Sequence, residues 1–396
     1  MRRIRKYKKI FTQGIKVLKY VYYLIYCTLF KNKVSIYKNI WLISERGIDA
    51  RDNGYFFYKY MVNNHKEIDI RYIISNDSPD FNKIKKLGKY IIYGSREHYI
   101  AFIMSRMLIS AHLMGFSPDM GLFLRLQKYR LLKLNGKIVW LQHGITKDKL
   151  PYINPKYNNL SLLITGVKPE YDYFINTYGF SKDIVKLTGF SRFDNLKKIK
   201  SNNILFMTTH RIYLHNMSDK EFIKTDYYKN INNLLNNKYL NKLLNENNLY
   251  LLFYVHHEFQ KYNHLFNTNF NRIKILNIYK CDVQELLINS CLLITDYSSV
   301  FFDFAYMEKP IIYYQFDYDE YRKGHYEEGY FLYKKDGFGK VVENDIDLIK
   351  EINYNIKRKF IVDDNIKNRI DKYFLKKDKN NNKRIFDEIL KKQINL

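Results

Sequence analysis

Short apolar runs, each closed by a polar turn and followed by an amphipathic stretch, recur along most of the chain. Runs of this length, rich in Ile, Leu, Val and Tyr, read as buried strands, and the stretches between them read as helices. From Asn39 the series is IWLIS (strand), ERGIDARDNG (polar loop), YFFYKYMVNNH (helix) and IDIRYIIS (strand). It continues through a helix over FNKIKKLG and strands at YIIYG, MLISA, KIVWLQ, LSLLITG and DIVKLTG. A polar, basic break at residues 192–203 (RFDNLKKIKSNN) ends it. A second series follows: ILFMTTHR, helical segments between Asp226 and Asn247, YLLFYVHH, RIKIL, and the stretch from Asp282 to Tyr314. Repeated β-α units imply parallel sheets with helices on both faces. The reading is therefore α/β: two doubly wound, Rossmann-like domains, residues 36–195 and 200–345, with a helical tail over 346–396. Two such domains facing one another place the carboxyl ends of both sheets on one cleft, where ligands bind.

Residues 1–34 stand apart. The strongly basic MRRIRKYKKI precedes the apolar, aromatic IKVLKYVYYLIYCTLF. That run is about 16 residues long and contains Lys19, whereas a spanning helix needs roughly 20 apolar residues. No small-residue cleavage site follows it. Its composition suits a helix lying on an anionic membrane surface, which predicts a peripheral protein at the cytoplasmic face of the cell membrane.

Charge adds a second hint of an anionic partner. The 396 residues hold 67 Lys and Arg against 40 Asp and Glu, a net charge of +27. Asn, Lys, Ile and Tyr are abundant throughout, so part of the excess is background composition. The charge is spread along the chain, and no RNA-binding aromatic motif or helix-turn-helix stands out, which argues against a nucleic-acid partner. Cys27, Cys281 and Cys291 form neither a disulfide framework nor a metal-type spacing. No Gly-rich dinucleotide fingerprint and no P-loop follows any strand, against a nicotinamide enzyme or an ATPase.

Four polar clusters sit immediately after predicted strands: Gln142-His143-Gly144, Thr208-Thr209-His210-Arg211, His256-His257, and Thr295 to Ser299. One histidine at a strand end signifies little; four clusters where an α/β cleft keeps its chemistry signify more. Their residue types suit phosphate-ester chemistry. His143 is a candidate general base near neutral pH, and Gly144 beside it permits close backbone approach. Arg211 can fork a phosphate. His256, Ser298 and Ser299 can hydrogen-bond a diphosphate. Asp303, one helical turn after Ser299, could hold a sugar hydroxyl. No metal-ligand spacing is evident.

These residues resemble a known family. LQHGITKDK, GFSRFDNL, ILFMTTHR, the histidine after YLLFYV, and above all LLITDYSSVFFDFAYMEKPIIYY resemble the CDP-glycerol glycerophosphotransferases, the teichoic acid primases and polymerases and their capsule-making relatives. WLISERGIDARDNGYFFYKY resembles the family's opening strand and loop. The resemblance spans residues 39–345. It implies a twin-Rossmann, glycosyltransferase-B type fold, a CDP-glycerol or CDP-ribitol donor in the second domain, and a lipid-linked or capsular glycan acceptor in the first. No cofactor is implied. His143 would be the base and His256 a diphosphate ligand, while Arg211, Ser298, Ser299 and Asp303 would bind the donor, with Thr295 in support. Arg192 and Asp194 match a motif that ends the first domain, for which a hinge role is as natural as substrate contact. Two positions depart from the family pattern. His257 stands where Pro is usual, which leaves His256 and His257 in competition, and His210 stands where an aromatic ring is usual. Asp296 is expected as a structural cap, Tyr297 receives no role, and a homo-oligomer is left open. The competing enzyme reading is a nucleotide-sugar glycosyltransferase on the same fold.

Overall fold

A computed structural model describes residues 2–277 and 281–394, the backbone alone for 2–11 and 394. Two all-parallel sheets organise it. The first runs through β1 (Trp41–Ser44), β2 (Ile70–Ile74), β3 (Tyr90–Ile92), β4 (Met107–Ser110), β5 (Lys137–Trp140), β6 (Leu162–Thr165) and β7 (Val185–Leu187). The second runs through β8 (Asn203–Met207), β9 (Tyr250–Tyr254), β10 (Ile273–Ile275), β11 (Leu292–Thr295), β12 (Ile311–Tyr314) and β13 (Gly339–Val342). Every residue of β1, β4, β6, β11 and β12 is buried. Helices cover both faces of these strands, so their sequences are continuous apolar runs with no alternation.

Strand order is β3-β2-β1-β4-β5-β6-β7 in the first sheet and β10-β9-β8-β11-β12-β13 in the second. Each order reverses once, between β1 and β4 and between β8 and β11. At such a switch point the loops leaving neighbouring strands diverge, and a crevice opens at the carboxyl edge. The register Thr295↔Met207 puts the ends of β11 and β8 side by side at the second crevice.

Three elements differ from the sequence reading. β13, at the sheet edge, lies within the second domain but has no counterpart among the strands expected from the sequence, because Gly339 and Lys340 interrupt its apolar pattern. The helix after β11 covers only Phe301–Tyr306, and no side chain caps its first turn. Packed Phe301, Phe302 and Phe304, all buried, hold it in place of a serine cap. The final helix, Asn381–Ile394, does not stay with the second sheet. Its Phe386 ring stacks on His65 at 3.7 Å and lies 6.1 Å from Trp41 of β1, so the tail crosses back to the first half.

The N-terminal helix α1 (Arg2–Leu29) buries one face against the first half. Tyr20 meets Phe123 edge-on at 5.2 Å, and Tyr23 stacks on Tyr99 at 5.0 Å. The Tyr20 hydroxyl also bonds both the N–H and the carbonyl of Lys133. The opposite face leaves Leu18, Tyr22, Ile25 and Leu29 exposed. Among the described residues no helix is long and apolar enough to cross a membrane. The basic stretch 2–10, on which the membrane-surface expectation partly rests, lies outside the described side chains.

Candidate active site

His143 leaves β5 on a strained support. Gln142, just before it, holds a left-handed φ of 57°, which a non-glycine residue adopts only when its surroundings enforce it. Four hydrogen bonds do so here. Gln142 Nε2 donates to the Ile164 carbonyl (2.7 Å) and to Glu170 (3.1 Å). Its Oε1 accepts from Thr146 Oγ1 (2.7 Å), and its own carbonyl accepts from Asn53 Nδ2 (2.7 Å). Burial pushes the Glu170 carboxyl up to about 8, against the N–H groups of Thr146 and Gly166 that donate to it.

The His143 ring faces solvent within the cleft and stacks on His112 at 4.6 Å and 14°. Its pKa is lowered to about 4, first by the protein crowding it and then by the charges of Arg192, Arg46 and His257. At neutral pH the imidazole is unprotonated and free to accept a proton. His112 follows β4 at the first switch point and is likewise held neutral by burial and by His143. Sequence reasoning missed it. Its one signal is its place after MLISA, where a single histidine at a strand end carries little weight.

Arg192 ties the two halves together beneath His143. Nε and Nη2 donate to the two oxygens of Asp303 at 2.6 and 2.8 Å. Nη1 donates to Asp52 (2.8 Å) and to the carbonyl of His143 (2.9 Å). Asp303 is 2% exposed and both its oxygens are engaged, so the polyol contact expected of it gives way to a latch on Arg192. Asp194 has a second structural duty. It accepts the backbone N–H and amide groups of Asn381 and Asn382, starting the returning helix. Gly144 lies against the second half: a Cβ there would stand 2.9 Å from Ser299 Oγ. The backbone next to His143 and the hydroxyl of Ser299 thus meet across the cleft, and a side chain at 144 would oblige that hydroxyl to turn aside.

On the second sheet, the loops after β8 and β9 bring histidines together. The His210 ring lies 4.5 Å from His256, 4.9 Å from His215 and 5.0 Å from His325, and His256 lies 4.3 Å from His257. Five of the chain's ten histidines share this corner. Burial first, and mutual repulsion second, lower His256 to about 2 and His325 to about 3; His210, where burial again leads and His215 follows, falls to about 4. His256 Nδ1 accepts the Glu258 N–H (3.3 Å), which leaves the proton on Nε2 as a donor. His257 is more exposed, faces Glu258 at 3.2 Å, and its charge bears on His143. Thr209 Oγ1, Thr295 Oγ1, His210 Nδ1 and His325 Nδ1 are buried without a protein partner. Buried polar atoms are nearly always bonded, so such a concentration marks a place built for a ligand. Ser298 Oγ accepts the Val300 N–H at 3.4 Å and can still donate.

Arg211 sits below this corner and does something other than fork a phosphate. It is fully buried, with Nε and Nη2 on Asp317 (2.7 and 2.9 Å) and Nη1 on Asp296 (2.9 Å) and the Thr209 carbonyl (2.6 Å). The rings of Tyr227, Tyr297 and Tyr321 enclose it at about 5 Å. Tyr297 therefore acquires a role: its hydroxyl donates to Asp317 (3.0 Å) and its ring stacks on Tyr321 (3.8 Å). Asp296 is no helix cap; it accepts the Thr209 N–H (2.8 Å) and binds the β8 loop to the β11 loop. Among the described residues no three His, Cys, Asp or Glu side chains form a metal-binding group.

The family profile described as CDP-Glycerol:Poly(glycerophosphate) glycerophosphotransferase matches residues 25–391. The chain belongs to this family. A minor teichoic acid biosynthesis protein, GgaB of Bacillus subtilis, is 34% identical over 369 residues, covering 89% of this chain and 40% of that protein. A teichoic acid poly(glycerol phosphate) polymerase of Staphylococcus epidermidis is 24% identical over 344 residues, 80% of this chain and 45% of that protein. The chain thus spans less than half the length of these relatives. In fold it is similar to the wall teichoic acid polymerase TagF, with a TM-score of 0.69 at 19% identity, over 97% of this chain and 98% of that one. A second solved structure, of S. aureus MnaA with UDP, aligns over 88% of this chain and 95% of that one at a TM-score of 0.55 and 13% identity, a likeness of fold alone.

Proposed function

We propose that the protein moves a polyol phosphate, glycerol phosphate in the first instance, from a CDP-activated donor to a hydroxyl of a teichoic-acid-type acceptor. The observation that carries this is the meeting of two unlike strand ends. A neutral, orientated histidine stands on one side, and a cluster of histidines and hydroxyls with unpartnered polar atoms stands on the other, within reach of Ser299 and Gly144. The acceptor hydroxyl gives its proton to His143 as its oxygen bonds to the polyol-bearing phosphorus. The P–O bond to the cytidylyl phosphate breaks, and CMP leaves with the electron pair. His143 later returns the proton to water. His256 Nε2–H, Ser298 and Ser299 donate to the diphosphate, whose charge shifts toward the leaving group. His257, nearer the first half, is assigned to the edge of the donor site. Arg192, Asp303 and Arg211 act by holding these groups in position, and Thr295 lines the crevice.

The segment 1–34 supports a peripheral place on an anionic membrane at the cytoplasmic face, beside a lipid-linked or capsular acceptor. Glycerol and ribitol donors are separated by supplying CDP-glycerol and CDP-ribitol in turn, with a poly(polyol phosphate) acceptor, and following CMP. Acceptor-dependent CMP release is expected from at least one of them. Release of UDP from a UDP-sugar in its place would make the protein a glycosyltransferase.

A further inference from the structure

Residues 1–44 contain eleven Lys and Arg and no Asp or Glu. The exposed apolar residues of α1, Ile15, Leu18, Tyr22, Ile25 and Leu29, alternate at three and four positions and so form one ridge. Beside the C-terminal half of α1 a cavity of about 1070 Å³ opens at the amino-terminal edge of the first sheet, the edge opposite His143. Six cations line it: Lys31, Lys38, Arg106, Arg130, Lys133 and Lys156. None of their side chains forms an ion pair among the described residues. Arg106 Nη2 donates to the Gln393 carbonyl, while its Nε is buried without a partner. The floor is apolar, with Leu24, Cys27, Ile103 and Met104 among its walls. Leu29, Phe30 and Leu131, next in sequence to lining residues, are exposed.

We propose that this cavity binds the phosphate headgroup of an anionic phospholipid while the α1 ridge lies in the membrane interface beside it. The inference rests on the peripheral-membrane reading above and names the site that would carry it. Phosphate oxygens satisfy the unpaired cations, and the apolar floor and ridge cover the start of the acyl chains. A poly(polyol phosphate) chain would match the cations but has nothing to place on the ridge. A second copy of the chain would set a second cationic segment against the first, with +27 on each partner.

Flotation of the full chain with vesicles tests this. The vesicles are phosphatidylcholine alone, or phosphatidylcholine with phosphatidylglycerol, at fixed low salt. The variants are the cavity triple K31Q/K38Q/K156Q and a control triple K182Q/K220Q/K224Q, which removes equal charge from exposed sites elsewhere. The cavity triple should bind phosphatidylglycerol vesicles on the order of 100-fold more weakly, three headgroup charges being lost, while the control changes less than about threefold. Both should keep wild-type melting temperature and CMP release with a soluble acceptor. Equal losses in the two triples would overturn the cavity and leave the membrane reading intact. Absence of wild-type binding to either vesicle would overturn both. Displacement from vesicles by millimolar inorganic phosphate or soluble glycerol phosphate polymer would identify a soluble anion site and overturn the lipid assignment. Loss of a dimer, seen by light scattering, on changing Leu18 and Ile25 to Ser would turn the ridge into a self-association surface.

Discussion

At the scale of single residues, the groups proposed to touch substrate are distinct from the buried groups that hold them. His143→Ala should lower turnover by about 10²- to 10⁴-fold, the range of a lost general base, with donor affinity nearly unchanged in calorimetry. A matching loss of donor affinity would move His143 to the donor side. The sign of its pH dependence follows from the lowered pKa. The base form is present above about pH 4 in the free protein and is lost as pH falls through that value. The acid limb of kcat/KM should therefore lie well below the ordinary histidine value. The limb of kcat should lie higher, because a bound diphosphate opposes the repulsion from Arg192 and Arg46. Arg211→Met should unfold the second half, since Asp296 and Asp317 would be left buried without their cation, a cost of about 3–5 kcal/mol in denaturant titration. Unchanged stability with weakened donor binding would restore the phosphate fork. Arg211 and Asp303 show what residue type cannot tell: an arginine or aspartate at a strand end looks the same whether it faces a ligand or a buried partner. The placing of His143, Gly144 and Ser299 at strand ends on one cleft was legible, because each follows an apolar run closed by a polar turn. His112 and Glu170 were not, because each matters only through a contact made in the fold.

At the scale of elements, the loops after the strands are held by a few dense networks, and these predict how the protein responds to acid and to mutation. Burial keeps a set of histidines neutral: His98, lowered to about 4, with its ring bonded to the Gly94 N–H and the Phe116 carbonyl, together with His112, His210, His256 and His325. The unfolded chain protonates these side chains near pH 6.5 and the folded chain resists until about pH 4 or below. Unfolding therefore takes up protons between those values, and stability falls as pH drops from about 6.5 toward 4. The melting temperature should decline steeply over that window, and His98→Gln should make the decline shallower. A melting temperature flat from pH 7 to 4.5 would contradict the buried-neutral assignment. Arg192→Met should cost about 3–5 kcal/mol by stranding Asp303 and should also lower turnover, because the His143 carbonyl loses its anchor. Arg192→Lys should recover part of the stability and little of the turnover, since a lysine cannot reach Asp303, Asp52 and the carbonyl in one geometry. The strands themselves were readable from apolar runs bounded by polar turns. β13 and the short, serine-independent helix after β11 were not, since edge position and aromatic packing replace the local signals that mark other elements.

For the whole molecule, the two sheets bring the carboxyl ends of β5 and β11 to one cleft, and three devices join the halves across it. They are the Arg192–Asp303 latch, the Asp148–Arg322 pair at 2.8 Å with the adjoining Lys149–Glu327 bridge, and the final helix pinned by Asp194. The twin-domain plan could be read from the repeat of β-α units. The return of the tail to the first half could not, because nothing in residues 381–394 names the surface that Ile385 and Phe386 will cover. The stretch from Asp282 to Tyr314 supplies the second half of the cleft, with Ser298 and Ser299 as the proposed donor contacts and Asp296, Tyr297 and Asp303 bonded into the frame. The most direct test of the account follows the nucleotide product. The purified chain is incubated with CDP-glycerol, CDP-ribitol or UDP-sugars and a poly(polyol phosphate) acceptor, and the released nucleotide and the acceptor mass are both measured. The account predicts CMP in step with acceptor growth by one polyol phosphate per turnover, abolished by His143→Ala. Growth by a sugar with release of UDP, or CMP release that His143→Ala leaves unchanged, would contradict it.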